Sequence, residues 1–216
     1  MKKIAYPHPI FAKEGWPFIG ICILFTFFSV LLHSMLLFGL FLLITVFVMQ
    51  FFRDPKRSTT AKANDLVAPA DGRVVVIEEC LDPYRNVQAK KVSIFMNVFN
   101  VHSQRMPIDG EVIDIVYNPG KFLNANLDKS STENERNAVI MKLKDGTEIT
   151  VVQVAGLIAR RILCYIQKQD KVKLGQRYGF IRFGSRVDLY LPLNVNIKVG
   201  LGETVSATKT IIASFE

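Results

Sequence analysis

The chain has 216 residues, half of them hydrophobic, and a formal net charge of +8 at pH 7. This length suits one domain with an appendage. A basic charge suits an anionic membrane surface, and because no recognisable DNA- or RNA-binding signature accompanies it, a nucleic-acid partner is not expected. Cys22, Cys80 and Cys164 show neither metal-ligand nor disulfide-framework spacing, so reduced, cytoplasmic thiols are predicted.

The N-terminal quarter of the chain is predicted to be a membrane anchor. Residues 1–15 form a short head with three lysines, and no Asp, Glu, Lys or Arg occurs from Trp16 to Phe52. One span needs about 20 apolar residues, so this run favours a transmembrane helical hairpin, with spans at about 17–33 and 35–52. A single long, tilted span is the alternative. Basic residues flank both ends of the run, which indicates that both ends are cytoplasmic.

The rest of the chain reads as a polar, basic linker, residues 53–64, followed by a domain of short strands, residues 65–216. The predicted strands are rich in Val and Ile and run from Arg73 to Glu79, Lys91 to Phe99, Glu111 to Tyr117, Ala138 to Leu143 and Glu148 to Ala155. Asp145-Gly146 predicts a hairpin turn, and the turn at 199–205 resembles those of biotinyl and lipoyl barrel domains. The predicted fold is mainly antiparallel β, a barrel or a sandwich, with the N-terminal helical hairpin.

The stretch from Tyr178 to Pro192 reads as one strand with a lone hydroxyl, Ser185, in an otherwise apolar row. A buried hydroxyl without a partner costs about 1–3 kcal/mol. In one interpretation Ser185 is a nucleophile aimed at the carbonyl of Gly184, which has no Cβ to hinder the attack. In the other, Gly184-Ser185 is a bulge whose hydroxyl binds a neighbouring carbonyl. The residues of this stretch alone leave both open.

Five motifs occur in order and are spread from residue 68 to residue 188, across most of the chain beyond residue 60. They are Ala68-Pro69-Ala70-Asp71-Gly72-Arg73-Val74, Asn100-Val101-His102 with Arg105-Met106-Pro107, Pro119-Gly120-Lys121-Phe122, Asn134-Glu135-Arg136 and Phe183-Gly184-Ser185-Arg186-Val187-Asp188. In this combination the chain resembles the short, membrane-anchored bacterial phosphatidylserine decarboxylases.

The resemblance implies a proenzyme that cuts itself between Gly184 and Ser185 into residues 1–184 and 185–216, which stay associated. Ser185 would become a covalent pyruvoyl group that takes the role of pyridoxal phosphate, with no metal. This group would form a Schiff base with phosphatidylserine and release CO₂ and phosphatidylethanolamine. The implied location is the bacterial inner membrane, with the catalytic domain on its cytoplasmic side. The resemblance leaves open whether the protein forms a homo-oligomer.

The resemblance also assigns roles to side chains. His102 is the natural general acid and base, since it is the only histidine beyond residue 33 and its type titrates near neutrality. Asp71 would orient or assist this base. The alternatives are that Asp71-Gly72 is an ordinary turn pair and that His102, which follows a strand, is an ordinary surface residue. Arg105, Lys121 and Arg136 are candidates for binding the substrate. For Glu135, next to Arg136, two interpretations are open, closure over the site and pairing on the surface, and the surface interpretation is favoured.

This chain departs from the longer family members at His102-Ser103-Gln104-Arg105, where they carry His-x-x-His. Two histidine roles therefore fall on His102 alone, which favours Arg105 as a ligand for phosphate or carboxylate. Two other functions remain open. One is a decarboxylase of a related serine lipid, such as an archaeal-type ether lipid. The other is a non-catalytic, membrane-tethered β-barrel adaptor in which Ser185 is structural and the chain stays intact.

Overall fold

The computed structural model describes residues 10–120, 133–156, 162–182 and 185–215. The chain divides between Lys56 and Arg57 into two compact units. Within the described residues, both α-helices lie in the first unit and all the strands of two residues or more lie in the second.

The first unit is a pair of apolar helices. A 3-10 turn, Lys13–Gly15, leads into α1, Trp16–Leu31, and α2 follows at Met35–Phe51. The chain reverses between them at His33, which takes a left-handed conformation with φ of 51°. Ser34 then caps α2, since its side chain accepts a hydrogen bond from a backbone N–H of the first turn at 3.4 Å.

The helix pair turns its apolar side chains outward. Leu36 and Leu43, for example, are 83% and 68% exposed. Between the helices, the hydroxyls of Thr26 and Thr45 lie 2.9 Å apart. By length and composition alone, Lys13–Leu31 is long and apolar enough to cross a membrane, and Met35–Phe51 is a shorter apolar helix. The predicted apolar helix pair is thus confirmed, with each helix ending slightly earlier than expected.

The second unit is built from short strands that pair antiparallel throughout its described residues. In chain order they are β1 (Asp65–Val67), β2 (Gly72–Asp82), β3 (Val87–Met96), β4 (Ser103–Arg105), β5 (Gly110–Asn118), β6 (Arg136–Lys142), β7 (Glu148–Ala155), β8 (Ile162–Cys164), β9 (Lys171–Val172), β10 (Arg177–Ile181), β11 (Ser185–Leu191), β12 (Asn196–Ile197), β13 (Thr204–Val205) and β14 (Ile211–Ser214).

These strands form one large sheet and two small ones. The large, curled sheet has eight strands in the order β13-β2-β3-β11-β7-β6-β5-β9. The small sheets have the orders β4-β10-β8 and β1-β14-β12. The mainly antiparallel β fold is therefore confirmed, and five of the predicted strands correspond to β2, β3, β5, β6 and β7.

The central strand β11 shows how the core is divided. It pairs along its length with β3 on one side and β7 on the other, and all of its residues are buried. Val187, Leu189 and Leu191 belong to the main core, which also contains residues of both small sheets. The alternate positions point to the other face, where Tyr190 packs in a smaller cluster and Arg186 forms a buried ion pair with Asp188 at 2.8 Å.

The prediction of one continuous strand from Tyr178 to Pro192 is wrong. The structure divides this stretch into β10, in a small sheet, and β11, in the large sheet. Alternation of apolar residues continues across the division, so periodicity alone does not reveal it. The described chain thus belongs to the small sheet up to Ile181 and to the large sheet from Ser185 onward.

A buried polar cluster attaches the tip of the β2–β3 hairpin to the large sheet, where β2 ends and β7 begins. The carboxylate of Asp82 accepts hydrogen bonds from the Thr150 hydroxyl at 2.6 Å and from Nε of Arg85 at 2.7 Å. Arg85 also donates to the backbone carbonyls of Glu148, at 2.6 Å, and Tyr190, at 3.4 Å. The tip of the β2–β3 hairpin is thereby attached to β7 and β11.

We predict that Asp82→Ala lowers the free energy of unfolding by about 3–5 kcal/mol, because it leaves the largely buried Arg85 guanidinium without its counter-ion. Urea unfolding of the full chain in detergent measures this. The control is Glu79→Ala, an exposed position on the same strand, which should change stability by less than about 0.5 kcal/mol. Equal effects of the two substitutions would contradict a stabilising role of the Asp82 cluster.

Candidate active site

Several candidate residues lie at one end of the large sheet, where β11 and β6 begin and β3 and β7 end. We call this end the candidate edge. In an antiparallel sheet the start of one strand lies beside the end of its neighbour. Ser185, the first residue of β11, pairs with Met96 at the end of β3 and with Ala155 at the end of β7. Arg136, the first residue of β6, pairs with Val154 at the same edge.

Ser185 is fully buried on the core face of this edge. Among the described residues, its hydroxyl donates to the sulfur of Met96 at 3.9 Å. A thioether is a weak acceptor, so this contact restrains the hydroxyl without a strong hydrogen bond. From Ser185 onward β11 pairs in regular register with both neighbours. Gly184, the other half of the expected cleavage site, lies outside the described residues.

His102 is fully buried, so the interpretation of it as a surface residue is wrong. It follows a tight turn in which the side chain of Asn100 accepts from the N–H of Asn97 at 2.9 Å. The Nδ1 atom of His102 lies 2.9 Å from the backbone carbonyl of Asn100. Since a carbonyl only accepts, Nδ1 carries a proton, and in the neutral ring the lone pair is on Nε2. This tautomer suits a general base at Nε2.

A chain of buried amides, which the sequence analysis missed, joins the His102 segment to the large sheet. Asn137 donates to the side-chain oxygen of Gln153 at 3.1 Å, and Gln153 donates to that of Gln104 at 3.1 Å. Gln104 donates to the backbone carbonyl of His102 at 2.7 Å. The sequence does contain a sign of this chain: Gln153 lies among valines in a predicted strand, and a glutamine buried there needs a hydrogen-bond partner.

Asp71 directly precedes β2, two strands away from β11 in the large sheet. Neighbouring strands lie about 4.8 Å apart, which separates the starts of β2 and β11 by about 10 Å. One oxygen of Asp71 accepts from the Arg57 guanidinium at 2.6 Å, and the other accepts from the N–H of Ala207 at 2.8 Å. Its carboxylate is therefore held in a defined orientation at the candidate edge.

The candidate substrate ligands differ in position. Arg105 is buried at the end of β4 and donates to the carbonyl of Gly175 at 3.2 Å. Arg136 lies at the candidate edge and donates to the carbonyl of Asn134 at 3.2 Å. Lys121 lies outside the described residues.

The surface interpretation of Glu135 is wrong. Its side chain is buried and accepts hydrogen bonds from the hydroxyl of Tyr117 at 3.0 Å and from the N–H of Ile162 at 3.3 Å. The carboxylate thus connects β5 with the start of β8.

Two cysteines in the β unit are poor competitors of Ser185 as nucleophiles. Burial raises the pKa of the Cys164 thiol, and burial is also the largest cause of the raised pKa of Cys80. Both thiols therefore remain protonated at neutral pH, and the thiol is much less nucleophilic than the thiolate. Burial likewise raises the pKa of Tyr178 well above its usual value, so this phenol does not act as a base.

Comparison with known proteins gives a family for this arrangement. The family model "Phosphatidylserine decarboxylase" matches residues 44–213. Curated proteins of Burkholderia lata and Burkholderia vietnamiensis, both named phosphatidylserine decarboxylase proenzyme, are each 56% identical to this chain over 214 residues. Each alignment covers 98% of this chain and 99% of the relative. The chain therefore belongs to the phosphatidylserine decarboxylase family.

Proposed function

We propose that this chain is a proenzyme that cuts itself between Gly184 and Ser185 and then converts phosphatidylserine to phosphatidylethanolamine and CO₂. The observation that carries the proposal is the fully buried hydroxyl of Ser185, the first residue of the central strand β11. Membership of the family supports the substrate, and the relatives' description as proenzymes supports the processing.

The first step uses Ser185 as a nucleophile against its own backbone. Its Oγ forms a bond to the carbonyl carbon of Gly184, the bond from that carbon to the Ser185 nitrogen breaks, and the hydroxyl proton passes to the nitrogen. The amide becomes an ester. The weak contact with the Met96 sulfur, at 3.9 Å, holds the hydroxyl in the core without withdrawing it from this reaction.

The second step separates the two fragments. A base removes the α-proton of Ser185, the bond between Cβ and Oγ breaks, and residues 1–184 leave with a carboxylate at Gly184. Water then replaces the nitrogen, which departs as ammonia, and a ketone remains at position 185. His102 supplies the base at Nε2, because its Nδ1 donates to the Asn100 carbonyl. Asp71 assists as a fixed negative charge at the same sheet edge.

The residues present fit a pyruvoyl group at position 185. The position is fully buried and is aligned by backbone pairing with Met96 and Ala155. The group would supply a sink for the electrons that remain when CO₂ leaves the bound substrate, and an apolar setting favours loss of the carboxylate charge. His102 would return a proton to the product carbon, while Arg105, Arg136 and Lys121 would bind the anionic groups of the lipid.

Strand pairing explains why the two fragments would stay together. Residues 185–216 contain β11, which lies between β3 and β7, and also β13 and β14, which pair with β2 and β1. Cutting one peptide bond leaves these hydrogen bonds in place.

We place the enzyme at the cytoplasmic face of the bacterial inner membrane. In this proposal residues 16–52 span the bilayer as a hairpin, with the head 1–15 and the linker 53–64 on the cytoplasmic side and residues 65–216 as the catalytic domain. The outward-facing apolar side chains of both helices support this arrangement.

We predict that Ser185→Ala remains a single chain of residues 1–216 and forms no phosphatidylethanolamine, because the nucleophile is absent. Intact mass spectrometry before and after borohydride treatment measures this. The wild-type protein should give two chains, of which the smaller gains the mass of added hydrogen as its ketone is reduced. The control is Ser93→Ala, another buried serine, which should be processed like the wild type.

A Ser185→Ala protein that is still cut and active would overturn the proposal. A wild-type protein that stays whole, in detergent and in lipid vesicles alike, would favour the non-catalytic adaptor.

We predict that His102→Gln lowers the rate of self-cleavage, of lipid decarboxylation or of both by about 10²-fold or more, the usual range for loss of a general acid or base. Conversion of phosphatidylserine in mixed micelles, normalised to the cleaved fraction, measures turnover separately from processing. The control is His33→Asn, since His33 is exposed at the turn between α1 and α2. Wild-type rates of both reactions in His102→Gln would exclude His102 as the base.

A further inference from the structure

The buried amide chain Asn137–Gln153–Gln104 is a built feature of the protein. All three side chains are at least 97% buried. Gln153 donates both to Gln104 at 3.1 Å and to the backbone carbonyl of Leu163 at 3.3 Å, while it accepts from Asn137. Gly179 makes room for it, since a Cβ there would lie 2.3 Å from the Gln153 amide nitrogen. These contacts set the direction of the Gln104 amide, whose NH₂ group faces away from Gln153.

That NH₂ group meets the carbonyl of His102, on which two donors converge. Gln104 donates at 2.7 Å, and the backbone N–H of Ile181 donates at 3.4 Å. Ile181 is the last residue of β10, the strand that leads toward the proposed cleavage site. The carbonyl of His102 therefore restrains the chain where it leaves the small sheet.

The same NH₂ group also lies at the point where the chain enters the large sheet. Its nitrogen is 3.9 Å from the sulfur of Met96. That sulfur is in turn 3.9 Å from the hydroxyl of Ser185 and belongs to the residue with which Ser185 pairs. One amide group thus contacts the residues that hold the chain on both sides of the crossing from Ile181 to Ser185.

We propose that Gln104, oriented by Gln153, is a positioning residue for self-cleavage. The inference rests on the proposed function, and it concerns the first step, in which Oγ of Ser185 bonds to the Gly184 carbonyl carbon while the Gly184–Ser185 amide bond breaks. Attack of this kind requires the reacting atoms to be held about 3–3.5 Å apart and aligned. Gln104 contributes through two contacts. It binds the carbonyl of His102, which also accepts from Ile181, and it lies against the sulfur of Met96, which contacts Ser185.

The test follows self-cleavage of the full chain made by cell-free synthesis in the presence of phosphatidylglycerol–phosphatidylethanolamine vesicles. Gln104→Met preserves the side-chain volume and removes the donor to His102. We expect conversion of residues 1–216 into the two fragments to slow by at least about tenfold, the cost of losing one buried hydrogen bond at the transition state. Denaturing gels over time measure the rate.

Thr150→Val is the matched control. Thr150 lies on β7 like Gln153 but at the opposite end, where its hydroxyl donates to Asp82, and the substitution also preserves volume while removing one buried hydrogen bond. It should cleave at the wild-type rate. The melting temperature of each variant is measured in the non-cleaving Ser185→Ala background, so that stability and processing are determined on the same species.

Gln153→Met provides a second variant, expected to slow cleavage less than Gln104→Met because Gln104 keeps its contact with His102. If Gln104→Met fails to fold in the Ser185→Ala background, the cleavage rate of Gln153→Met tests the inference instead.

Hydroxylamine shows which step is slow, since it cuts esters but leaves ordinary peptide bonds intact at neutral pH. If Gln104 acts before the ester forms, hydroxylamine should not restore fast cleavage to Gln104→Met.

Wild-type cleavage in a folded Gln104→Met protein would overturn the inference, as would equal slowing by Thr150→Val or rapid cutting of Gln104→Met by hydroxylamine. If Gln104→Met does not fold, wild-type cleavage by Gln153→Met would overturn it. Failure of the proposed function gives a different result, namely a wild-type chain that stays whole or a Ser185→Ala chain that is cut.

Discussion

The backbone pairing of β11 is the constraint on which the rest of the structure depends. This strand is hydrogen-bonded on both sides, to β3 and β7, and its side chains are buried on both faces. The position of Ser185 at its first residue is therefore set by two neighbouring strands at once. The same pairing places β11, the first strand of residues 185–216, in the interior of the large sheet, so that a break in the chain before Ser185 would not release it.

Polar groups are concentrated at the two ends of β7, and each end has a different task. At its start, the Asp82 cluster attaches the β2–β3 hairpin to β7. At its end, Gln153 connects the large sheet to the small sheet that carries Gln104. Between them the strand is apolar. Because buried polar groups are costly unless paired, such clusters mark the places where the fold must be specific.

Much of the fold follows from local pattern. Alternating or continuous runs of Val and Ile predict β2, β5, β6 and β7 to within a few residues, and the charge-free run predicts the two apolar helices. The single strand predicted from Tyr178 to Pro192 failed because alternation continues through a change of sheet. The surface assignment of Glu135 failed because its partners, Tyr117 and Ile162, are distant in sequence.

The sequence by itself supplied the candidate residues and the family: a Gly-Ser bond in an apolar stretch, one histidine beyond residue 33, and motifs that resemble those of the family. It also determined the separation into an apolar helical part and a strand-rich part, since both follow from composition and short-range periodicity. Only the tertiary structure decided that the chain lies in the small sheet up to Ile181 and in the large sheet from Ser185, and that the Gln104 amide of β4 contacts both His102 and Met96. The reason is physical. Hydrogen bonds between strands and the satisfaction of buried polar groups depend on residues far apart in the chain, and no local pattern records which of them will meet.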